Sequence, residues 1–240
     1  MNTLFLRLEA PLQSWGERGQ WSVRDSATEP TKSGIVGLLA CASGFNKEEQ
    51  IRNLSAAITI AVRCDREGVP QVDYHTIGGG YDTPQLLTAE GKPKVSNGQP
   101  HTEISYRTYL HNASFLVVIQ ANREMIQQLT LRIQEPVWSI FLGRKSCPPS
   151  RPPYEGVGQY DSLDHALEQW PWYNPDADRA NQVNVRSVIE CINAERGIRR
   201  RHALLSRSNR VFGPLYVREQ QIAISVIPSF PPVLESYRPL

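Results

Sequence analysis

The chain has 240 residues, 40% of them hydrophobic and 21% charged, and its net charge at pH 7 is +2. This is the composition of an ordinary globular protein with one large or two small domains. No apolar run approaches the roughly 18 residues that cross a bilayer, and the N-terminus lacks the basic segment and cleavage site of a signal peptide. The four cysteines form no CxxC pair, which argues against a zinc ribbon and favours reduced thiols. We therefore expect a soluble, cytoplasmic protein without a metal, another cofactor or a membrane partner.

Positive charge is concentrated near the C-terminus. Between residues 186 and 218 eight arginines stand against two glutamates, so this segment carries +6 and the rest of the chain carries −4. The planar guanidinium group suits phosphates and base stacking better than mere solubility requires. The asymmetry therefore favours a surface that faces a polyanion, and Arg200 and Arg207 are candidate RNA-binding residues. A solvated charged face is the alternative.

The first third of the chain predicts a strand, two helices and a second strand. Polar and apolar residues alternate over Thr3–Glu9, which indicates a half-buried strand. Thr31 can cap a helix with one apolar face that ends at Gly44. A short helix at 48–54 and a strand at 57–64 follow.

The remaining elements surround a long insertion at 78–103 that opens with three glycines. Loops of that size are often functional or disordered. After it we predict a strand at 113–120, a helix at 123–133, a Pro-rich loop at 143–158, a disordered segment at 170–178, and strands at 184–192 and 222–227.

The order strand, helix, strand, insertion, strand, helix is typical of a ferredoxin-like fold, the fold of RNA-recognition motifs. We predict an α+β protein with a ferredoxin-like N-terminal domain at 1–155, whose insertion spans about 78–103. A smaller β-rich C-terminal portion at 156–228 and a Pro-rich tail at 229–240 complete the chain.

Two segments could bind phosphate. At the predicted helix start, Thr31, Lys32 and Ser33 combine hydroxyl groups and a cation with the free N–H groups of a helix N-terminus, although ordinary capping explains the same residues. The basic loop, residues 141–151 (FLGRKSCPPSR), combines a glycine that permits close backbone approach with stiffening prolines. Its candidate RNA-binding residues are Arg144, Lys145, Ser146, Cys147 and Arg151.

Aromatic residues next to cations suit unpaired RNA bases, which stack on rings while their phosphates contact cations. Packing in the core or at its rim is the alternative for each ring. The pairs are Trp15 with Arg18, Trp21 with Arg24, and Tyr106 with Arg107.

A metal-independent ribonuclease is the alternative function, since such an enzyme could use a histidine, a lysine and a tyrosine to transfer protons and stabilise charge. His75, His101 and His111 lie near the insertion, with Tyr74, Tyr106 and Tyr109. His75 is also a candidate RNA-binding residue. The sequence has no cluster with metal-ligand spacing, no nucleophile elbow and no paired-carboxylate motif.

Six segments together resemble the CasD family, the subunit of type I-E CRISPR Cascade complexes that holds the 5′ end of the CRISPR RNA (crRNA). They are, in chain order, LFLRLEAPLQSWG, PTKSGIVGLLAC, AVRCD, DYHT, YRTYLHNASFLVV and FLGRKSCP. The segment at 170–178 and the Pro-rich tail have no counterpart in that family.

The resemblance implies a non-catalytic subunit that caps the crRNA 5′ handle, with the insertion acting as a thumb near the first guide position. The handle site would draw on the Trp15 region, Lys32, Ser33, Tyr106, Arg107 and residues 144–147. Partners would be the crRNA, CasC-type backbone subunits and the CasA-type large subunit, with target DNA nearby. Type I-C relatives cut precursor RNA with a tyrosine and a Lys–His pair; this chain has no Lys-His dipeptide, and its Tyr74-His75 matches the non-catalytic relatives.

Overall fold

The computed structural model describes residues 1–17, 19–78, 85–191, 197–206 and 211–229, and of residues 201–205 the backbone alone. The helices are α1 Lys32–Ser43, α2 Glu48–Ala57, α3 Arg123–Gln134 and α4 Leu163–Gln169. The strands are β1 Thr3–Glu9, β2 Leu12–Gln13, β3 Val23–Arg24, β4 Thr59–Arg66, β5 Val69–Ile77, β6 Val95–Ser96, β7 Gln99–Pro100, β8 Glu103–His111, β9 Ser114–Gln120, β10 Tyr154–Gly158, β11 Trp172–Tyr173, β12 Asn181–Cys191, β13 Ile198–Ser206 and β14 Val211–Ile227. No helix in these ranges is both long and apolar enough to cross a membrane.

One large sheet organises the molecule. Its strand order is β10-β1-β9-β4-β12-β14-β11, with β13 paired to β14. The neighbours from β10 to β12 are antiparallel, and β12 pairs with β4, so the C-terminal strands continue the same sheet. The predicted mixture of helices and strands is thereby confirmed, while the division into domains stays a prediction.

Helices cover the two faces of this sheet. Leu4, Leu6 and Leu8 of β1 belong to a core shared with α1, α2 and α3. Phe5 points to the opposite face, where α4 and the C-terminal strands pack. The prediction of a half-buried β1 was therefore wrong, because its polar side is buried as well.

The polar side of β1 carries a buried group of charges. Arg7 and Arg63 both contact the Asp65 carboxylate, with 2.5 Å between Arg63 Nε and Asp65 Oδ1, and all three side chains are fully buried. Glu155 pairs with Arg7 at 3.5 Å and with Arg151 at 2.8 Å. Buried charges are tolerated only when paired, so this cluster joins β1, β4 and β10 through mutually dependent ion pairs.

The helix boundaries follow from local capping. The Thr31 hydroxyl accepts a hydrogen bond from the Gly34 N–H at 3.2 Å, and Gly44 ends α1 in the left-handed region with φ 70°. Both caps are as predicted, and so are the two helices at Glu48–Ala57 and Arg123–Gln134.

Between 143 and 229 the strand predicted at 184–192 is found as β12, Asn181–Cys191, but the structure otherwise differs from the expectation. Within the predicted Pro-rich loop, Tyr154–Gly158 forms β10 and pairs with β1. The predicted disordered segment contributes β11, which pairs with β14. Helix α4 was not predicted, and β14 is much longer than the predicted strand at 222–227. For the three strands, pairing with a distant strand, rather than local composition, determines the structure.

A second sheet, the arm sheet, consists of β2, β3, β5 and β8. Strands β5 and β8 pair over their whole length, from Val69 opposite His111 to Ile77 opposite Glu103. The insertion at 78–103 begins where this pair ends. Residues 79–84 lie outside the described ranges, and the rest contains the β6–β7 hairpin.

Candidate nucleic-acid interface

The arm sheet has two different faces, because side chains alternate along a strand and directly paired residues share a face. On one, the polar face, are His75 of β5 and Arg107 and Tyr109 of β8, with Arg24 of β3 beside Arg107. The other, the apolar face, carries Val23, Val72, Tyr74, Ile104 and Tyr106.

Tyr109 lies at the centre of the polar face. The His75 ring stacks on it with 6.3 Å between centroids, and the Arg144 guanidinium lies 4.7 Å from its centroid. The Tyr109 hydroxyl is 3.2 Å from the Ser146 hydroxyl. Tyr109 thus holds the basic loop onto the arm sheet, a role that sequence reasoning missed. The period-two sequence of Ser105, Arg107 and Tyr109 is the signal that could have indicated it.

Arg144 is committed to this packing. Its Nη1 donates to the Thr108 carbonyl at 3.2 Å, and its Nη2 donates to the carbonyls of Arg24 at 3.1 Å and Asp25 at 3.3 Å. A guanidinium in a rigid fork can join several acceptors at once. Arg144 therefore positions the end of β3 against β8. Its guanidinium group lies against Tyr109 and adds positive charge to the polar face.

Gly143 brings the basic loop into contact with β2. Its φ is +95°, and a Cβ there would lie 1.7 Å from the Ser14 carbonyl oxygen. The Ser14 N–H donates to the Leu142 carbonyl at 3.1 Å. Only glycine fits this close approach, and the group that it approaches is the chain's own backbone at Ser14.

Three cations remain at the rim of the polar face. Lys145 is exposed at the tip of the basic loop. The Arg24 guanidinium lies 5.8 Å from the ring centroid of Trp21, and Trp21 is 71% exposed. Arg107 donates through Nε to the Ser105 hydroxyl at 3.2 Å and lies opposite Asp73 of β5. Exposed cations around aromatic rings suit a single RNA strand.

A depression of about 350 Å³ lies beyond the basic loop. His111, which shares a face of β8 with Tyr109, lines it together with Arg66, Asn112, Ser150 and Glu9. The Arg66 Nε donates to the Asn112 carbonyl at 2.7 Å. The volume suits a small ligand, and sequence reasoning did not connect these residues because they come from separate strand ends.

The start of α1 does not offer the predicted phosphate site. Lys32 is 6% exposed, and its Nζ donates to the Glu190 carboxylate at 2.6 Å and to the Ile58 carbonyl at 2.9 Å. Thr31 is buried, and Ser33 lies beside it with 3.3 Å between hydroxyl oxygens. The adjacent cavity, of about 20 Å³, is lined by Glu29 and Glu190 and is large enough for about one water.

Arg200 also faces carboxylates. Its Nη2 is 3.0 Å from Glu219 and 3.9 Å from Glu29, and its Nη1 is 3.7 Å from Glu17. Arg186 pairs with Glu29 at 3.1 Å and Glu67 at 2.8 Å. Three of the four arginines of this segment whose side chains the structure describes, Arg186, Arg200 and Arg218, are therefore paired with carboxylates.

The other candidates are dispersed. Trp15 is in the core and bonds to Gln13, so it cannot stack on a base. Cys147 is buried, and burial raises the pKa of its thiol, which keeps the thiol neutral. Arg151 pairs with Glu155, Tyr106 is on the apolar face, and Arg18 and Arg207 lie outside the described residues.

We expect Lys32→Met to destabilise the fold by about 3 kcal/mol, because it leaves the largely buried Glu190 carboxylate without its cation. The double variant Lys32→Met/Glu190→Gln should recover most of this loss. Urea denaturation measures the stability, and the folded double variant should bind RNA as the unmodified chain does. If the double variant bound RNA more weakly than the unmodified chain although its stability was unchanged, Lys32 would belong to the RNA site.

Within the described ranges, no group of three or more His, Cys, Asp and Glu residues could hold a metal ion. His75 Nε2 lies 2.7 Å from Asp73 Oδ2, two residues earlier on the same face of β5. The Asp73 carboxylate can orient the His75 imidazole. An oriented imidazole suits either a contact with RNA or the transfer of a proton.

Comparison with known proteins identifies the family. The model of the CRISPR-associated protein (Cas_Cas5) family matches residues 3–218. The CRISPR system Cascade subunit CasD of Escherichia coli (strain K12) is 30% identical over 177 residues, 68% of this chain and 75% of CasD. A chain of a CRISPR RNA-guided surveillance complex is 26% identical with a TM-score of 0.78, covering 93% of this chain and 92% of that one. A crystal structure of a Cas protein is 31% identical with a TM-score of 0.67, covering 96% and 100%. The resemblance drawn from the six sequence segments is confirmed, and the chain belongs to the CRISPR-associated protein (Cas_Cas5) family.

Proposed function

We propose that the chain is a non-catalytic crRNA-binding subunit of a type I-E-like Cascade complex in the cytoplasm, where it holds the 5′ handle of the crRNA. One observation carries this proposal beyond family membership: Arg24 and Arg107 lie side by side on the polar face, and the exposed Lys145 stands between Arg144 and Ser146, which both contact Tyr109 on that face. Single-stranded RNA is held by cations that track its phosphates and by rings on which its bases stack. The polar face offers these cations, and the exposed Trp21 at its rim offers a ring.

We further propose that β1, β4, β9 and β10, with α1 and α3, form the ferredoxin-like domain. The antiparallel order β10-β1-β9-β4 fits that fold. The insertion at 78–103 would act as the thumb, since it extends from the far end of the paired strands β5 and β8. CasC-type backbone subunits, the CasA-type large subunit and nearby target DNA would be the remaining partners.

Neutralising the rim of the polar face should weaken RNA binding and flatten its salt dependence. For single strands, each phosphate that a protein neutralises adds about 0.7 to the slope of log affinity against log salt. The triple variant Arg24→Gln/Arg107→Gln/Lys145→Gln removes three such cations. Its slope should therefore be smaller by roughly 2, as measured by fluorescence anisotropy with repeat-derived RNA at several salt concentrations.

The matched control removes the same charge elsewhere. Arg52, Arg123 and Arg132 are exposed on or at the start of α2 and α3, away from the arm sheet. The triple Gln variant at these positions should keep the slope. Equal slopes for the two triple variants would mean that charge in general, rather than the polar face, attracts the RNA.

The Asp73–His75 pair favours one other function, a metal-independent pre-crRNA endoribonuclease like the type I-C relatives. In that case the purified chain would cut repeat RNA at one position in the presence of a chelator, and His75→Ala would abolish the cut. We expect intact RNA from the folded chain, and His75→Ala should change affinity alone.

A further inference from the structure

The apolar face of the arm sheet is a continuous exposed patch. Tyr74 is directly opposite Tyr106, and Tyr106 is opposite Val23 on its other side. Val72 and Ile104 extend the patch along β5 and β8. These five side chains are 42% to 65% exposed. Scattered exposed apolar residues are normal on a soluble protein, but adjacent ones mark an interaction surface.

Charge distinguishes the two faces. The residues that alternate onto the apolar face of β5 and β8, from Val72 and Tyr74 to Thr76 and from Ile104 and Tyr106 to Thr108, include no charged side chain. The polar face carries Arg24, Arg107 and the Arg144 charge behind them, together with the carboxylates of Asp73 and Glu103. An RNA backbone is bound mainly through cations, so the apolar face does not suit it. A partner surface that is itself apolar and uncharged does.

The edge of the sheet supports the same partner. Within the described ranges, β5 pairs with β8 alone, so its outer edge has backbone groups available. An exposed edge is a template for pairing with another polypeptide. A protein can use both the apolar face and this edge, whereas a nucleic acid has neither apolar side chains nor peptide groups to offer.

We propose that the apolar face is a docking surface for a different protein subunit of the same ribonucleoprotein, which covers Val72, Tyr74, Ile104 and Tyr106 with an uncharged apolar patch. This rests on the proposed function, since it assumes assembly with other subunits. The arm sheet then separates two partners, with RNA on the polar face and protein on the apolar face.

Two substitutions at the same position, one to a positive and one to a negative side chain, distinguish a protein partner from an RNA partner. Val72 is 65% exposed, and Leu131 on α3, at 67%, is a matched control away from the arm sheet. The variants are Val72→Lys, Val72→Glu, Leu131→Lys and Leu131→Glu, with the same substitutions at Ile104 as a second position. Each full-length chain is tagged and co-expressed with the subunits encoded beside it and a CRISPR array, and the purified complexes are analysed for protein and RNA.

We expect both charges at Val72 and at Ile104 to reduce the co-purified protein subunits by at least about tenfold, since either charge would be buried unpaired in an apolar interface. The Leu131 variants should assemble normally. Thermal unfolding of each isolated chain checks that the exposed substitutions leave the fold intact.

Three results would overturn the proposal. If lysine preserves assembly and glutamate abolishes it, the face binds RNA. If the isolated chain dimerises and the Val72 variants are monomeric, the face binds a second copy. If all variants assemble normally, the face has no partner in the complex. An unmodified complex that contains its protein subunits but no crRNA would instead refute the proposed function and leave the docking surface supported.

Discussion

Asp65→Asn is expected to destabilise the protein by about 3–5 kcal/mol, the usual cost of removing one partner from a buried ion pair. Asp65 is the carboxylate that both Arg7 and Arg63 contact, and all three side chains are fully buried. Without its charge, Glu155 is left to offset Arg7, and Glu155 already pairs with Arg151. Such a loss is a large part of the roughly 5–15 kcal/mol that stabilises a typical domain, so much of the protein should be unfolded or insoluble at growth temperature.

Urea denaturation followed by tryptophan fluorescence measures the loss. The matched control is Glu67→Gln, immediately after β4, whose carboxylate is 52% exposed and pairs with Arg186. An exposed pair contributes about 0–1 kcal/mol, so this variant should be nearly as stable as the unmodified chain. Equal midpoints for the two variants would show that the buried cluster does not stabilise the sheet.

Gly143→Ala is expected to displace the basic loop from the arm sheet. The added Cβ would lie 1.7 Å from the Ser14 carbonyl oxygen, in a backbone conformation with φ +95°. The loop must move, which breaks the Ser14–Leu142 hydrogen bond and draws Arg144 away from Tyr109. Backbone strain alone costs about 1–3 kcal/mol, and the broken hydrogen bond adds about 1 kcal/mol. We therefore expect a destabilisation of at least about 2 kcal/mol, with weaker RNA binding because Lys145 moves with the loop.

Gly91→Ala separates steric overlap from backbone strain. Gly91 has φ +78°, but no heavy atom lies within 4 Å of the position that a Cβ would take there. Alanine should therefore cost only the strain, about 1 kcal/mol. Denaturation midpoints and RNA affinity are compared for the two variants. If Gly143→Ala behaves like Gly91→Ala in both measurements, the approach to Ser14 does not position the loop.

Three of the four arginines between 186 and 218 whose side chains the structure describes are paired with carboxylates. The arginine-rich segment predicted a polyanion-facing patch, yet Arg186 and Arg200 pair with Glu17, Glu29, Glu67 and Glu219. Glu17, Glu29 and Glu67 are distant in sequence from their partners, whereas Glu219 follows Arg200 by 19 residues. Counting charged residues along the sequence cannot detect this neutralisation. The ion pairs form only when β12, β13 and β14 fold against the N-terminal half.

Lys32 and Lys145 show the same limit at the level of single residues. Both stand beside small polar residues and a glycine in the sequence, and both suit a phosphate site on that basis. Lys32 is buried against Glu190, while Lys145 is exposed at the tip of its loop. The position of Glu190 on a strand adjacent to β4 decides the difference.

Local features were determined by the sequence alone. The span of β1, the Thr31 and Gly44 caps of α1 and the positions of α2, α3 and β9 follow from side-chain periodicity and capping, which act over a few residues. Six short segments were enough to indicate the family. The tertiary structure decided which side chains are accessible: Trp15 is in the core, Arg144 bonds to three carbonyls, and Arg24 and Arg107 lie side by side on the arm sheet. Accessibility depends on contacts between residues far apart in the chain, and those contacts exist only after the sheets have paired.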